Sequence, residues 1–230
     1  HWSPDAVTIG YGTNRSGLGT MSAFAAKARA SADDEKVIAT GFVPVGWTRD
    51  PAVALCQNAT VRGPGERIAI FRCPLDGGTP QRLVDLGGPA TEIRASSDGE
   101  WVVYTSTESG RPQVYARRLR EGTRSLQVSR QRGASPRWRR DMKEIYYLEG
   151  GRSVAVAVEV GDELVIGTPQ RLFEPPPLRE PEGPSALPFD TLDGQRFFFN
   201  EPREARDLPI TVRLGWSRQL RHPFPPVGAR

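Results

Sequence analysis

Ser96-Ser97-Asp98-Gly99-Glu100-Trp101-Val102-Val103-Tyr104-Thr105-Ser106 reads as a tight turn that feeds directly into a strand. The Asp-Gly step supplies a residue able to take positive φ, and the serine and aspartate side chains can bond turn amides. The run that follows is β-branched and aromatic, the composition of a pleated, packed segment. The same signature recurs as Trp2-Ser3-Pro4-Asp5, Trp47-Thr48-Arg49-Asp50, Trp138-Arg139-Arg140-Asp141 and Asp190-Thr191-Leu192-Asp193-Gly194. Its aspartates stand at 5, 50, 98, 141 and 193, giving steps of 45, 48, 43 and 52 residues. Helical-pair repeats of this length need 3.6-residue periodicity after each anchor. Here Val7-Thr8-Ile9, Ala52-Val53-Ala54-Leu55, Glu144-Ile145-Tyr146-Tyr147-Leu148 and Arg196-Phe197-Phe198-Phe199 are short and strand-like instead.

A strand-bearing repeat of this period predicts an all-β chain, a β-propeller of four-stranded antiparallel blades with five repeats present. In the cleanest repeat, strand A is Thr91 to Ala95, B is Trp101 to Ser106, C is Gln113 to Leu119 and D is Leu126 to Ser129. The B–C turn Thr107-Glu108-Ser109-Gly110-Arg111 has its counterpart in Thr13-Asn14-Arg15-Ser16-Gly17. Arg67 to Cys73 and Val154 to Val160 read as strand C of the second and fourth repeats, with Gln81 to Val84 and Gln170 to Phe173 as strand D. The repeats run roughly over 1–40, 41–86, 87–130, 131–175 and 176–222, with 223–230 a tail, all in one domain. In the second and fourth repeats the anchor glycine is missing, after Asp50-Pro51 and Asp141-Met142, so those turns must be built differently.

Met21 to Lys36 is alanine-rich and helical by propensity alone, but its place in the repeat makes it strand C and a loose C–D hairpin. The proline-dense stretch from Pro175 to Pro188 reads as a long extended connection, which accounts for the 52-residue step. The first repeat holds only the tail of a strand A and the last holds no strand D. A propeller closes by completing one blade from both termini, so the expectation is a part of a larger propeller whose missing strands lie upstream of His1. Its open sheet edges would permit self-association.

With 37% hydrophobic and 25% charged residues, the 230-residue chain can bury one sizeable core. No apolar run approaches the roughly 20 residues of a spanning helix, so direct membrane insertion is not expected. Net charge is +4, but the basic residues are scattered arginines interleaved with 27 acids, and only Lys27, Lys36 and Lys143 are lysines. That pattern is a solvated surface rather than a nucleic-acid stripe. In the dense cluster Arg137-Trp138-Arg139-Arg140, alternation along a strand sends neighbours to opposite faces. Cys56 and Cys73 fall on neighbouring strands; pairing about Arg62 would set Cys56 opposite Ile68 and leave Cys73 out of bridging reach, as two buried thiols.

The residue types needed for catalysis are not brought together by any spacing. The anchor aspartates occupy the same turn of different blades, and His1 and His222 lie at opposite ends, so no metal or other cofactor set emerges. Gly215-Trp216-Ser217-Arg218-Gln219 lacks the glycine that completes a nucleophile elbow. Gly63-Pro64-Gly65-Glu66 lacks the lysine and helix of a phosphate loop. What remains is a binding surface. The D–A and B–C loops emerge at one face of a propeller, which makes Asn14, Arg15, Phe42, Arg111, Arg132 and Arg179 the candidate contact residues. Arginines around an exposed aromatic suit a protein or peptide partner, or an anionic ligand.

Trp2-Ser3-Pro4-Asp5, the Thr13-to-Gly17 loop, and Ser97 to Ser106 followed by Gly110-Arg111-Pro112-Gln113-Val114-Tyr115 resemble TolB-like propeller repeats, relatives of prolyl-oligopeptidase blades. Pro136 to Leu148, Gly167 to Phe173 and Pro209-Ile210-Thr211-Val212-Arg213-Leu214-Gly215-Trp216 look like the C-terminal propeller attached to bacterial serine/threonine kinases or winged-helix regulators. The resemblance implies a non-enzymatic interaction or sensor module on the extracytoplasmic or periplasmic side of a larger signalling protein, with the cytoplasm as the alternative. The other reading is the propeller of a prolyl-oligopeptidase-like hydrolase whose catalytic domain lies outside these residues.

Overall fold

The computed structural model describes residues 1–13, 21–27, 35–59, 67–175, 189–191 and 193–199, and every regular element among them is a strand. The first sheet is β1 (Thr8–Thr13), β2 (Ser22–Lys27) and β3 (Lys36–Thr40), with Trp2 bridged to Ile9 on the inner side. The second is β4 (Phe42–Trp47), β5 (Val53–Asn58), β6 (Ala69–Pro74) and β7 (Gln81–Asp85). The third is β8 (Ala90–Ala95), β9 (Trp101–Ser106), β10 (Gln113–Arg118) and β11 (Leu126–Gln127). Each is an antiparallel meander, as the repeat predicts.

In the fourth sheet β12 (Ala134–Trp138), β13 (Glu144–Glu149) and the long β14 (Arg152–Val160) follow the same order. Its outer position is split: β15 (Leu164–Ile166) covers the far end of β14 through Val158 and Ile166, and β16 (Gln170–Arg171) covers the near end through Val154 and Arg171. β17 (Phe189–Thr191) and β18 (Phe197–Phe199) pair as the start of a fifth sheet. The proline-dense connection from 176 to 188 lies outside the described residues, as does the strand expected from Ile210 to Trp216. Residues 22–27, ambiguous by propensity, are strand β2, because they pair on both sides with β1 and β3.

The cores lie between successive sheets, and strand alternation feeds two of them at once. On β9, Val102 and Tyr104, together with Ile93 of β8, pack toward Leu55 and Ile70 of the second sheet, while Trp101 and Val103 pack toward the fourth with Trp138, Ile145 and Tyr147. On β5, Leu55 faces the third sheet, and Ala54 and Cys56 face the first. On β13, Tyr146 joins Phe189 and Phe197 of the fifth. A strand buried on both faces must be apolar at successive positions, which is why these runs read as continuous hydrophobic stretches rather than half-polar ones.

The anchor is an aspartate turn built alike in all five sheets. One carboxylate oxygen accepts the amide two residues on: Asp5 from Val7 at 3.1 Å, Asp50 from Ala52 at 2.9 Å, Asp98 from Glu100 at 3.0 Å, Asp141 from Lys143 at 3.1 Å and Asp193 from Gln195 at 2.8 Å. Two residues before it a hydroxyl closes the turn onto the next strand: Ser3 accepts the Thr8 amide, Ser96 that of Trp101, and Thr191 donates to the Arg196 carbonyl. Where glycine is missing, Ala6 and Met142 themselves take positive φ, 57° and 60°, in the place that Gly99 holds at 71°. Pro51 cannot, and in that turn Thr48 makes additional bonds to Asp50 and Val53.

One expectation about the cysteines is corrected. Cys56 stands opposite Phe71 rather than Ile68, and Cys73 stands opposite Ala54, so the two thiols lie diagonally on one face. Both are buried and free, and the hydrogen bond between the two thiols, followed by burial, pushes the Cys56 thiol far above its ordinary range.

Candidate functional site

The first strand of each sheet is also the one that meets its neighbour: β4 packs on β8, β8 on β12 and β12 on β17. These inner strands are not regular. β4 is bulged between Pro44 and Gly46, β8 between Thr91 and Arg94, and β12 between Ala134 and Arg137. A bulge inserts an unpaired residue and re-aims the side chains around it. In β8 and β12 that residue is Glu92 and Ser135, both left-handed at φ 53° and 56°. Non-glycine residues rarely take this conformation, and it persists only where the surroundings impose it.

The Glu92 carboxylate imposes it. One oxygen accepts the Ser135 amide at 2.8 Å and the Thr105 hydroxyl at 2.7 Å; the other accepts the Ser135 hydroxyl at 2.5 Å. A half-buried carboxylate thus ties β8 and β9 of the third sheet to β12 of the fourth. With three donors committed to it, Glu92 acts as a staple between blades.

Two residues beyond each bulge stands an arginine, Arg94 on β8 and Arg137 on β12, each four residues before its anchor aspartate. Both fold back in the same way, donating through Nη1 to the carbonyl of the preceding residue, Ile93 or Pro136, at 2.5 Å. In the second sheet that repeat position is Gly46, where a Cβ would stand 2.5 Å from the Ala95 Cβ. Arg137 is 3% exposed; its Nε donates to the Phe189 carbonyl at 3.1 Å and lies 3.6 Å from an Asp190 oxygen, and its guanidinium sits 5.3 Å from the Phe189 ring centre. Its Nη2 is buried and has no hydrogen-bond partner among the described residues. Burial, and then the charge of Arg137, push Arg94 down to about 9 against the pull of Asp190 and Glu92. Burial lowers Arg137 as well, opposed by Asp190 and Glu92. Two cationic side chains thus stand at equivalent positions of adjacent inner strands, β8 and β12.

The loop residues expected to form a rim are placed as follows. Arg111 and Arg132 are exposed, and their loops are joined by a bond from the Gly133 amide to the Pro112 carbonyl at 3.0 Å. Phe42 is not an exposed aromatic: it is half-buried at the start of β4, edge-on to Phe71 with ring centres 4.9 Å apart. Asn14, Arg15 and Arg179 lie outside the described residues. The basic cluster at 137–140 divides as alternation predicts, with Trp138 in the core and Arg139 bound to Asp141 and Glu144 at 2.5 to 2.7 Å. A cleft of ≈ 690 Å³ at the anchor-turn end, lined among others by Arg49, Asp98, Asp141, Lys143 and Glu159, has mixed charge and no concentrated chemistry.

The inner arginines were readable in principle, as the same residue at the same distance before consecutive anchors. The bulges two residues before them leave no mark in composition, so spacing alone does not single these arginines out.

No family model matches this sequence, and no curated protein matches it. Solved structures do resemble the fold. TolB from Acinetobacter baumannii superposes with a TM-score of 0.61 at 20% identity, over 89% of this chain and 48% of that one. A putative TolB from Agrobacterium tumefaciens gives 0.55 at 15%, over 75% and 63%. A puromycin-hydrolyzing peptidase of Mycobacterium tuberculosis gives 0.51 at 16%, over 84% and 35%. The chain therefore spans about half to under two thirds of the length of the TolB structures it resembles. At such identities the likeness establishes the architecture, an all-β TolB-like propeller, and nothing finer.

Proposed function

We propose that this chain is a non-enzymatic interaction or sensor propeller, one domain of a larger bacterial signalling protein on the extracytoplasmic side, that binds a protein or peptide partner. The observation that carries the reading is the inner-strand arrangement of the half-buried Arg94 and the buried Arg137, each two residues beyond a bulge residue of positive φ. Strain and buried charge cost stability, and they concentrate where a fold recognises something. The exposed Arg111 and Arg132 on joined loops supply a second contact region for the same partner. The resemblance of the 136–148 and 167–173 segments to kinase-linked propellers supports the signalling context.

The second reading, a propeller serving a prolyl-oligopeptidase-like hydrolase, draws support from the fold it shares with the puromycin-hydrolyzing peptidase. The gene around this chain separates the two: a kinase or DNA-binding region upstream favours the first, an α/β-hydrolase region downstream the second. The direct test places a photo-crosslinking residue at Arg111 or Arg132 of the full-length protein in its host and assays the purified chain on prolyl-peptide, ester and lactone substrates. A discrete cross-linked protein and no turnover are expected. Turnover by the chain, or the absence of any cross-link from either loop, overturns the proposal.

A further inference from the structure

We propose that the cleft at the anchor-turn end of the fourth sheet receives an extended acidic peptide segment of a partner protein, which adds as a short strand along residues 158–160 of β14 and seats an apolar side chain beside Met142. The inference rests on the reading of this chain as a module that binds a protein partner, and it adds a contact at the end of the sheets opposite Arg111 and Arg132.

The cleft is built by an overhang. β14 outlasts β13: their pairing ends at Glu144 and Ala157, because the chain leaves the sheet at Met142, left-handed at φ 60°. One further bond, from the Val158 amide to the Lys143 carbonyl at 2.9 Å, closes that side. Backbone groups along an antiparallel strand point alternately to its two neighbours, so the amide and carbonyl of Val160 face the same side as the Val158 amide. No strand pairs with Val160 there among the described residues, whereas β15 covers the opposite side of β14. Both walls are tied down. Arg118 Nη1 donates to the Asp162 carbonyl at 2.8 Å at the tip of the β14–β15 hairpin, and Ser97 Oγ donates to the Arg140 carbonyl at 2.7 Å between the facing turns. A held edge with a free donor and acceptor is the template that strand addition uses.

The lining says which side chains suit that strand. The volume of ≈ 690 Å³ falls within the range of roughly 300–1,000 Å³ usual for binding clefts. Its apolar part is Met142, Val158, Val160 and Val165, and Val160 and Val165 are 38% and 59% exposed. Its charges are of both signs but are not equally available. Asp141 holds Arg139 with both oxygens, and Asp98 holds the Ser96 hydroxyl and the Glu100 amide. Glu159 is the one anion of the lining outside an anchor turn. Against it stand Arg49, whose side chain is 76% exposed and reaches Asp98 only at 3.9 Å, and Lys143, which is exposed and enters no ion pair among the described residues. The available surplus is cationic, so the complementary segment carries acidic residues around its apolar one.

Isothermal titration and NMR on the full chain test this with three probes. The first is acetyl-Gly-Asp-Val-Asp-Val-Asp-Gly-amide, the second has asparagine in place of each aspartate, and the third has serine in place of each valine. The first peptide should bind about tenfold or more tightly than either of the others, shift the Val160 amide and the Met142 methyl, and slow hydrogen exchange at Val160. The double variant Arg49→Gln with Lys143→Gln, changed at exposed side chains, should lose the preference for aspartate over asparagine. Val160→Pro removes the amide that faces the cleft and should weaken the first peptide about tenfold. Backbone N-methylation of that peptide reads the same bonds without altering the protein.

No binding of the first peptide, equal affinity for the aspartate and asparagine forms, undiminished preference in the double variant, or shifts that miss Val160 and Met142 overturns the proposal. Concentration-dependent shifts at Val160 without peptide would identify a second copy of the chain as the occupant, and overturn it too. The binding-module reading fails separately. Cross-links from Arg111 or Arg132 without peptide binding at Val160 sink this site alone, and peptide binding at Val160 without those cross-links sinks the loop-end contact alone.

Discussion

At the residue scale the repeated unit is a hydrogen-bond device rather than a letter pattern. The aspartate accepts the amide two residues ahead in every sheet, and the hydroxyl two residues behind it locks the turn to the following strand in most of them. Asp98 also holds the Ser96 hydroxyl at 2.6 Å. Asp98→Ala should therefore cost about 1–2 kcal/mol in urea unfolding, whereas Asp98→Asn, which keeps an acceptor oxygen, should cost less than half of that. Equal losses in the two variants would show that charge, not the acceptor, matters. The same turns make the fold acid-sensitive. Arg139's hydrogen bonds hold the Asp141 carboxyl below its ordinary 3.8, against partial desolvation and with help from the Lys143 amide. Ser3 and then the Val7 amide do the same for Asp5. A carboxyl whose folded pKa is depressed contributes stability above its unfolded value and loses it as pH falls through the folded one. Asp141→Asn should accordingly flatten the fall of stability with pH below about 4. An unchanged slope from pH 4 to 2 would contradict the assignment.

At the element scale, turn geometry and blade packing meet at a few glycines. Gly99 has φ +71° and lies where a Cβ would come within 2.6 Å of the Thr48 Cα and the Trp47 carbonyl oxygen of the preceding blade. Gly150 has a similar φ, +57°, and open space around it. Gly99→Ala should then destabilise by about 3 kcal/mol or more, since strain and overpacking add, and Gly150→Ala by only about 1 kcal/mol from strain alone. Thermal and urea unfolding of both variants give the comparison; similar losses would mean that the second and third blades yield easily. The strands beside these turns explain another sequence feature. Because β9 and β13 supply side chains to two inter-sheet cores, a one-residue slip would exchange the partners of every residue on them, so their registers are strongly specified.

At the scale of the whole molecule, the blades are joined mainly by apolar layers, with the Glu92 staple as a polar bond between the third and fourth. Removing its acceptors leaves the Ser135 amide and hydroxyl and the Thr105 hydroxyl without their buried partner. Glu92→Ala should cost about 2–4 kcal/mol, and amide exchange should accelerate at Ser135 and along β12 while β5 keeps its protection. Exchange at Ser135 that matches the wild type would show that the left-handed turn there is held by β12 itself. The Glu92 staple, Arg94 and Arg137 lie on the same bulged strands, so the strained backbone and these arginines share β8 and β12.

The sequence by itself determined the repeat, the turn and the strand order. An aspartate turn is completed within a few residues, and alternation toward two cores is written along a single strand, so both were legible from Ser96 to Ser106 and its copies. The inner site was decided only by tertiary structure. Neither the bulges at Glu92 and Ser135 nor the burial of Arg137 against the fifth sheet follows from local preference. Each exists because another strand supplies the partner, Thr105 of β9 and Ser135 of the fourth sheet for the carboxylate, Phe189 and Asp190 of the fifth sheet for the guanidinium. The cysteines show the same division. Their burial was readable from their strands, but the offset from Ile68 to Phe71 opposite Cys56 depends on how the hairpin register settles against the first and third sheets, and packing over that distance leaves no signal in the spacing.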